Sequence, residues 1–277
     1  MNYKPPVEIA KNACSAANAK GNLPIKTMAV MGFLAGAYIA FGGFLMTTVT
    51  QDSAAFVGVG ITKLLAGLVF PVGLMLVVVG GAELFTGNCL MPIGVLSGCV
   101  PPQKMIKNLV IVYLTNFAGA LTFAWMVYST GLVNGAVAAA ALKVAAAKAS
   151  IPASQMIFRG ILCNWLVVLA VWLSYSAMDI ISKYICCLIP TAAFVTMGFE
   201  HCIANMYFIP LGIMIEHGDK AAAAAAGIAA SQAANLTLGG LFNNLLFVTI
   251  GNVIGGAFFV GTLYYFVFSS SLGEAHK

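Results

Sequence analysis

The chain has 277 residues, of which 61% are hydrophobic and 8% charged, with a formal net charge of +5. Its mean hydropathy is +0.97. That composition excludes a soluble domain of this length and defines a polytopic membrane protein. The lysines are scattered, so the basic excess reads as membrane topology and not as nucleic-acid binding.

Residues 1–27 form a polar N-terminal segment with Lys4, Lys11, Lys20 and Lys26. No cleavable secretory signal is evident there, and Met1 to Asn22 suits a short amphipathic helix on the cytoplasmic surface. Apolar runs that suit helices follow near 28–48, 61–82, 108–129, 156–178, 185–199 and 240–268. A span needs about 20 residues at a rise of about 1.5 Å each. Between the fifth and sixth, the alanine-rich stretch Ala221 to Ala230 is expected to be helical by propensity. Residues 269–277 remain as a tail.

Two regions are too long for one crossing. From Leu64 to Val100 the apolar run is interrupted by Glu83, Thr86-Gly87-Asn88 and Pro92. From Tyr184 to Ile215 it is interrupted by Glu200-His201 and Pro210. Such interruptions indicate second and fifth helices that break inside the membrane. Backbone opened at that depth is tolerated only where protein or a water-filled cavity meets it. Six crossings put both termini on one side. Lys104, Lys107 and Lys183 join the N-terminal lysines there, which makes that side cytoplasmic.

The two breaks share a pattern. Glu83 is followed by Asn88 and then Pro92-x-Gly94; Glu200 is followed by Asn205 and then Pro210-x-Gly212. Asn116-x-x-Gly119 is echoed by Asn252-x-x-Gly255. The halves 28–129 and 156–268 therefore read as two inverted three-helix repeats. A carboxylate in hydrocarbon costs about 2.5–3.5 kcal/mol on insertion scales. Glu83 and Glu200, with Asn88 and Asn205, are expected to hold the breaks open, the carboxylates bonding backbone groups or the asparagines of the other repeat rather than the substrate. The seven cysteines have no metal-ligand spacing, and most read as small apolar packing residues. No metal or other cofactor is called for.

The segments Gly81-Ala82-Glu83-Leu84-Phe85-Thr86 and Gly198-Phe199-Glu200-His201-Cys202-Ile203-Ala204-Asn205-Met206 closely resemble the two signatures of the formate/nitrite transporter family. Asn164 with Val171 to Ser176, and Val248 to Gly256, resemble it too. Four motifs in order cover nearly the whole chain, and its sub-pattern is similar to the bacterial hydrosulfide-channel branch. The resemblance implies an aquaporin-like, all-α protomer in a prokaryotic plasma membrane, assembled as a homopentamer in lipid. It implies passage of small monovalent anions (hydrosulfide, formate, nitrite) and a part for protons. It implies one constriction at Leu84, beside Phe85, and another from Phe70, Leu74 and Phe194. Thr86 and His201 would face the space between, Lys148 would stand on the outer side, and Asn164 and Asn252 would lie along the path. One departure concerns Glu83-Leu84-Phe85-Thr86-Gly87, where the formate-carrying branch has Asp-Leu-Phe-Thr-Ser.

Chemistry assigns parts to these residues. Lys148 and Lys143 would concentrate anions at the mouth. Restarting helix ends would offer free N–H groups. The dry ring would reject hydrated cations and could gate by dewetting. His201 would donate a hydrogen bond or a proton to the anion. An aquaporin-type pore for neutral solutes is the alternative, but the chain has no Asn-Pro-Ala and a single arginine, Arg159. Cation transport through the glutamates is a third reading. No catalytic clusters or nucleotide-binding glycine loop support an enzyme.

Overall fold

The computed structural model describes residues 3–273; residues 274–277 of the expected tail lie outside them. The fold is all-α. Among the described residues, six helical stretches are long and apolar enough to cross a membrane: Ile25–Thr50, Ala54–Gly80, Pro102–Ser129, Ala153–Ser174, Ile180–Met197 and Leu238–Leu272. The elements in order are α1 (Pro6–Gly21), α2 (Ile25–Thr50), α3 (Ala54–Val69), α4 (Val72–Gly80), the short α5 (Phe85–Asn88) and α6 (Pro92–Leu96), α7 (Pro102–Ser129) and α8 (Gly135–Ala149). The second half has α9 (Ala153–Ser174), α10 (Ile180–Met197), α11 (Cys202–Gly218), α12 (Lys220–Ala226), α13 (Ala230–Ala233) and α14 (Leu238–Val253). A π-helical stretch (Ile254–Thr262) then runs into α15 (Leu263–Gly273).

Large apolar side chains cover the outside of the spans, among them Val110, Leu114, Phe158 and Ile189. That is the reverse of a soluble surface and suits a multi-pass protein in lipid. The inside is close-packed around α11, where Met206, Tyr207, Ile209 and Leu211 are buried.

Glycine sets how closely the spans cross. A Cβ on Gly36 of α2 would strike the Asn116 backbone of α7, and one on Gly119 would strike Phe33. In the other half, a Cβ on Gly251 or Gly255 would strike the backbone of α9 at Ile157 or Ile161. Each half is therefore clamped by the same small-residue contact between its first and third spans.

Each break opens in the same way. Gly81 (φ 79°) ends α4, and Gly198 (φ 75°) ends α10. These left-handed angles suit glycine. The next N–H reaches back five residues in both cases, Ala82 to Val77 O (2.9 Å) and Phe199 to Phe194 O (3.0 Å). The chain then passes through an extended residue, Leu84 or His201, into α5 or α11.

The N-terminal segment forms a helix, and its apolar face, with Ile9, Ala13 and Ala17 buried, lies on protein. It rests on α6 and α7 and the end of α15. Lys4 N–H donates to Ser176 O at 2.9 Å, which ties the segment to the end of α9. Cys14 of α1 and Cys99 beyond α6 are joined as a disulfide, with Cα atoms 5.9 Å apart. This pair departs from the packing role expected for the cysteines, and a separation of 85 residues gives no local signal of it. The fifth span starts at Ile180, earlier than its apolar run, because Asp179 caps it by accepting from Ser182 N–H at 2.8 Å.

Candidate functional site

Both breaks are fastened by the same set of side chains. Lys20 Nζ donates to Glu83 Oε1 at 2.5 Å, and Asn88 Nδ2 and Asn108 Nδ2 donate to Glu83 Oε2 at 2.7 and 3.2 Å. Asn108 Nδ2 also reaches Lys20 O at 3.2 Å. In the second half Lys148 Nζ donates to Glu200 Oε1 at 2.9 Å, and Asn205 Nδ2 donates to Glu200 Oε2 at 2.7 Å. Asn244 Nδ2 reaches Lys148 O at 2.9 Å. Asn88 meets Asn108 Oδ1, and Asn205 meets Asn244 Oδ1, both at 2.7 Å. Each glutamate is thus held by a lysine and by asparagine of its own half, two residues for Glu83 and one for Glu200. A buried carboxylate is tolerable on those terms and costly without them.

Two further asparagines pin the backbone of the breaks. Asn116 Nδ2 donates to Gly32 O (2.7 Å) and Glu83 O (2.9 Å), while its Oδ1 accepts from Phe85 N–H (2.9 Å). Asn252 Nδ2 donates to Gly160 O (2.8 Å) and Glu200 O (2.9 Å), while its Oδ1 accepts from Cys202 N–H (2.9 Å). Asn252 was expected along the path; its amide is instead engaged with backbone, as Asn116 is in the other half. The helix ends are likewise less open than expected, because the first N–H groups of α5 and α11 are taken by these asparagines.

Between the breaks lies a small chamber. Leu84, Phe70, Leu74, Phe194, Thr191 and His201 line it, together with Ile39 and Val167. Its free space is about that of one water molecule. Phe70 and Phe194 meet edge to face with centroids 6.1 Å apart, and Phe194 stacks on His201 at 6.0 Å. On one side Leu84 and Leu74 separate the chamber from a vestibule lined by Lys20, Glu83, Asn88 and Tyr175. On the other, Phe70, Phe194 and His201 separate it from a larger vestibule lined by Lys148, Lys63 and Glu200. Leu74 was expected beside the phenylalanines and lines the chamber with them; it also borders the Lys20 vestibule, as Leu84 does.

Thr86 and His201, one from each half, meet beside this chamber. Thr86 Oγ1 lies 2.8 Å from His201 Nε2. His201 Nδ1 accepts from Ala204 N–H at 3.1 Å, which caps α11. A ring nitrogen that accepts carries no proton, so this pattern assigns the neutral Nε2–H tautomer, with Nε2–H donating to Thr86. The Thr86 hydroxyl hydrogen is then left to donate elsewhere. Asn164 buttresses this pair from behind: its Nδ2 donates to Thr86 O (3.2 Å) and Asn252 O (2.6 Å). Lys148 Nζ also lies 5.5 Å from the Phe208 ring centroid, so its ammonium head faces an aromatic ring as well as Glu200.

Lys20, Asn108, Asn244 and Thr191 escaped the sequence reading. Three of them had a signal. Lys20 precedes Gly32 by the same interval as Lys148 precedes Gly160, and Asn108–Asn116 matches Asn244–Asn252. Thr191 has no repeat partner of its own type to mark it.

Two inverted broken-helix repeats around a narrow, two-sided cavity define a membrane transport protein. The formate/nitrite transporter family model matches residues 7–266. The chain is 42% identical to a probable formate transporter of Methanothermobacter thermautotrophicus, over 96% of this chain and 97% of that one. It is 35% identical to the formate channel FocA of Escherichia coli strain K12, over 95% and 94%. Among solved structures, an FNT family ion channel superposes with a TM-score of 0.77 at 30% identity, covering 95% of this chain and 98% of the other. A pentameric formate channel with formate bound superposes with a TM-score of 0.78 at 33% identity, covering 88% and 98%. The chain belongs to the formate/nitrite transporter family, and it is a channel-type transport protein, not an enzyme.

Proposed function

We propose that the chain forms a homopentamer in a prokaryotic plasma membrane, with both termini cytoplasmic, and that each protomer passes small monovalent anions such as formate, nitrite and hydrosulfide. The similar pentameric formate channel with formate bound supports both the assembly and the anion class. The lysines outnumber those of the other face on the side that carries α1, which supports the orientation.

The observation that carries the reading is the Thr86–His201 pair beside a mostly apolar chamber flanked by two lysine-bearing vestibules. Lys20 and Lys148 each spend one N–H on a glutamate and keep others for an incoming anion. Leu84 and Leu74 on one side, and Phe70 and Phe194 on the other, strip the anion of water. That loss is very costly unless polar groups replace the water. The Thr86 hydroxyl, polarised by His201 Nε2–H, supplies one replacement. Asn164 supports it through the Thr86 carbonyl, and Asn252 supports it through the second break. A proton hand-off from His201 would first require a proton on Nδ1, and so the loss of the Ala204 bond. The neutral tautomer therefore favours hydrogen bonding of the anion over its protonation. Glu83, Glu200, Asn88 and Asn205 hold the breaks.

Flux of formate, nitrite and hydrosulfide into proteoliposomes, each at two pH values, tests this function. Uptake of all three above empty liposomes supports it. Uptake of neutral solutes such as glycerol with no anion uptake would replace it by the aquaporin-type alternative.

A further inference from the structure

Several other threonines of the spans, buried or not, satisfy their hydroxyls on the carbonyl four residues back. Thr47 does so on Gly43 O at 3.0 Å, Thr115 on Ile111 O at 2.8 Å and Thr122 on Ala118 O at 2.8 Å. Thr191 of α10 does not. It is 1% exposed, follows Pro190, and its Oγ1 has no hydrogen-bond partner. A buried hydroxyl left unpaired is costly, and one that persists calls for a partner. Thr191 lines the central chamber, whose other lining residues are apolar apart from His201. Both nitrogens of His201 are already engaged, with Thr86 and with Ala204. Thr191 is thus the polar group of the chamber wall with hydrogen-bonding capacity to spare.

We infer that the Thr191 hydroxyl donates a hydrogen bond to the anion in the chamber, and that it favours oxyanions over hydrosulfide. The inference rests on the anion-pore reading above. A desolvated carboxylate or nitrite oxygen is a strong acceptor, whereas sulfur accepts weakly. Thr86, reached through His201, and Thr191, from α10, then replace water from two elements of the protein. A packing role would need no hydroxyl and would not discriminate between anions.

The test is initial uptake of formate and of hydrosulfide by proteoliposomes carrying wild type, Thr191→Val or Thr191→Ser at equal protein incorporation. Thr191→Val keeps shape and removes the donor. It is expected to lower formate uptake about tenfold, as loss of one hydrogen bond to a charged group implies, and hydrosulfide uptake by less. Thr191→Ser is expected to stay within about twofold of wild type. Should the valine variant fail to assemble, Thr191→Ala reads the same loss without added bulk. Formate uptake within twofold of wild type in the donor-less variant would overturn the inference, as would an equal loss for both anions or a serine variant as impaired as valine. A wild type that passes neither anion would instead overturn the anion-pore reading, and this inference with it.

Discussion

Leu84 and His201 occupy the same place in the two halves of the molecule. Each is the extended residue that follows a buried glutamate and caps the restarted helix, Leu84 with φ −106° and ψ 124°, His201 with φ −115° and ψ 114°. One position of an inverted repeat has thus become an apolar collar in one copy and a polar group in the other. The scaffold around them stayed matched, with Glu, Lys and three Asn on each side. The asymmetry of the pore is concentrated where the chain meets the chamber.

Removal of the collar side chain is expected to change size selectivity. Leu84→Ala opens one wall of a chamber that now holds about one water. Acetate and lactate uptake are expected to rise relative to formate in a proteoliposome assay. An unchanged order of anions would place the narrow point elsewhere.

The polar position is expected to tolerate a donor and not an apolar group. His201→Asn retains an N–H within reach of Thr86, while His201→Ala leaves that hydroxyl without its polarising partner. The alanine variant is expected to lose about tenfold or more in formate flux, the asparagine variant distinctly less. Equal and complete loss in both would point to proton transfer by the ring.

The ion pairs are expected to show strong coupling. Glu83 is 3% exposed and bonded to Lys20. Lys20→Met strands that carboxylate and is expected to cost about 3–5 kcal/mol, read as a lower melting temperature of the detergent-solubilised protein. Combined Lys20→Met and Glu83→Gln is expected to be less damaging than the sum of the two changes. The same holds for Lys148 and Glu200. Additive losses would mean that the pair does not interact in solution.

The helix crossings are expected to reject any side chain. Gly255→Val places branched bulk against the Ile161 backbone. Overpacking of this kind costs more than about 3 kcal/mol when backbone must move. Loss of the folded protein on size-exclusion chromatography is the expected outcome, and an undisturbed variant would show that α9 and the sixth span can separate.

Much of this was legible in the chain because membrane burial writes loudly. Six apolar runs, two interrupted by Glu83 and Glu200, are enough to place spans and breaks, since hydrocarbon leaves few other solutions. Thr86 and His201 could be paired only through the family likeness, because they come from separate halves. Lys20 escaped because a lysine in a polar segment looks solvated, and only the folded chain brings it to Glu83. Asn252 misled because a buried asparagine can face a path or a backbone, and periodicity does not say which. Thr191 escaped because its distinction is a missing bond, which no sequence pattern records. Cys14 and Cys99 met through the return of α1 onto α6, a contact with no local signal.

The most direct measurement is the reversal potential of the purified protein in a planar bilayer under a tenfold sodium formate gradient. If the anion crosses as an anion, hydrogen-bonded by a Thr86 hydroxyl that His201 polarises, current is expected to reverse near the formate potential, about 59 mV in magnitude. Reversal at the sodium potential, or formate flux without current, would contradict it.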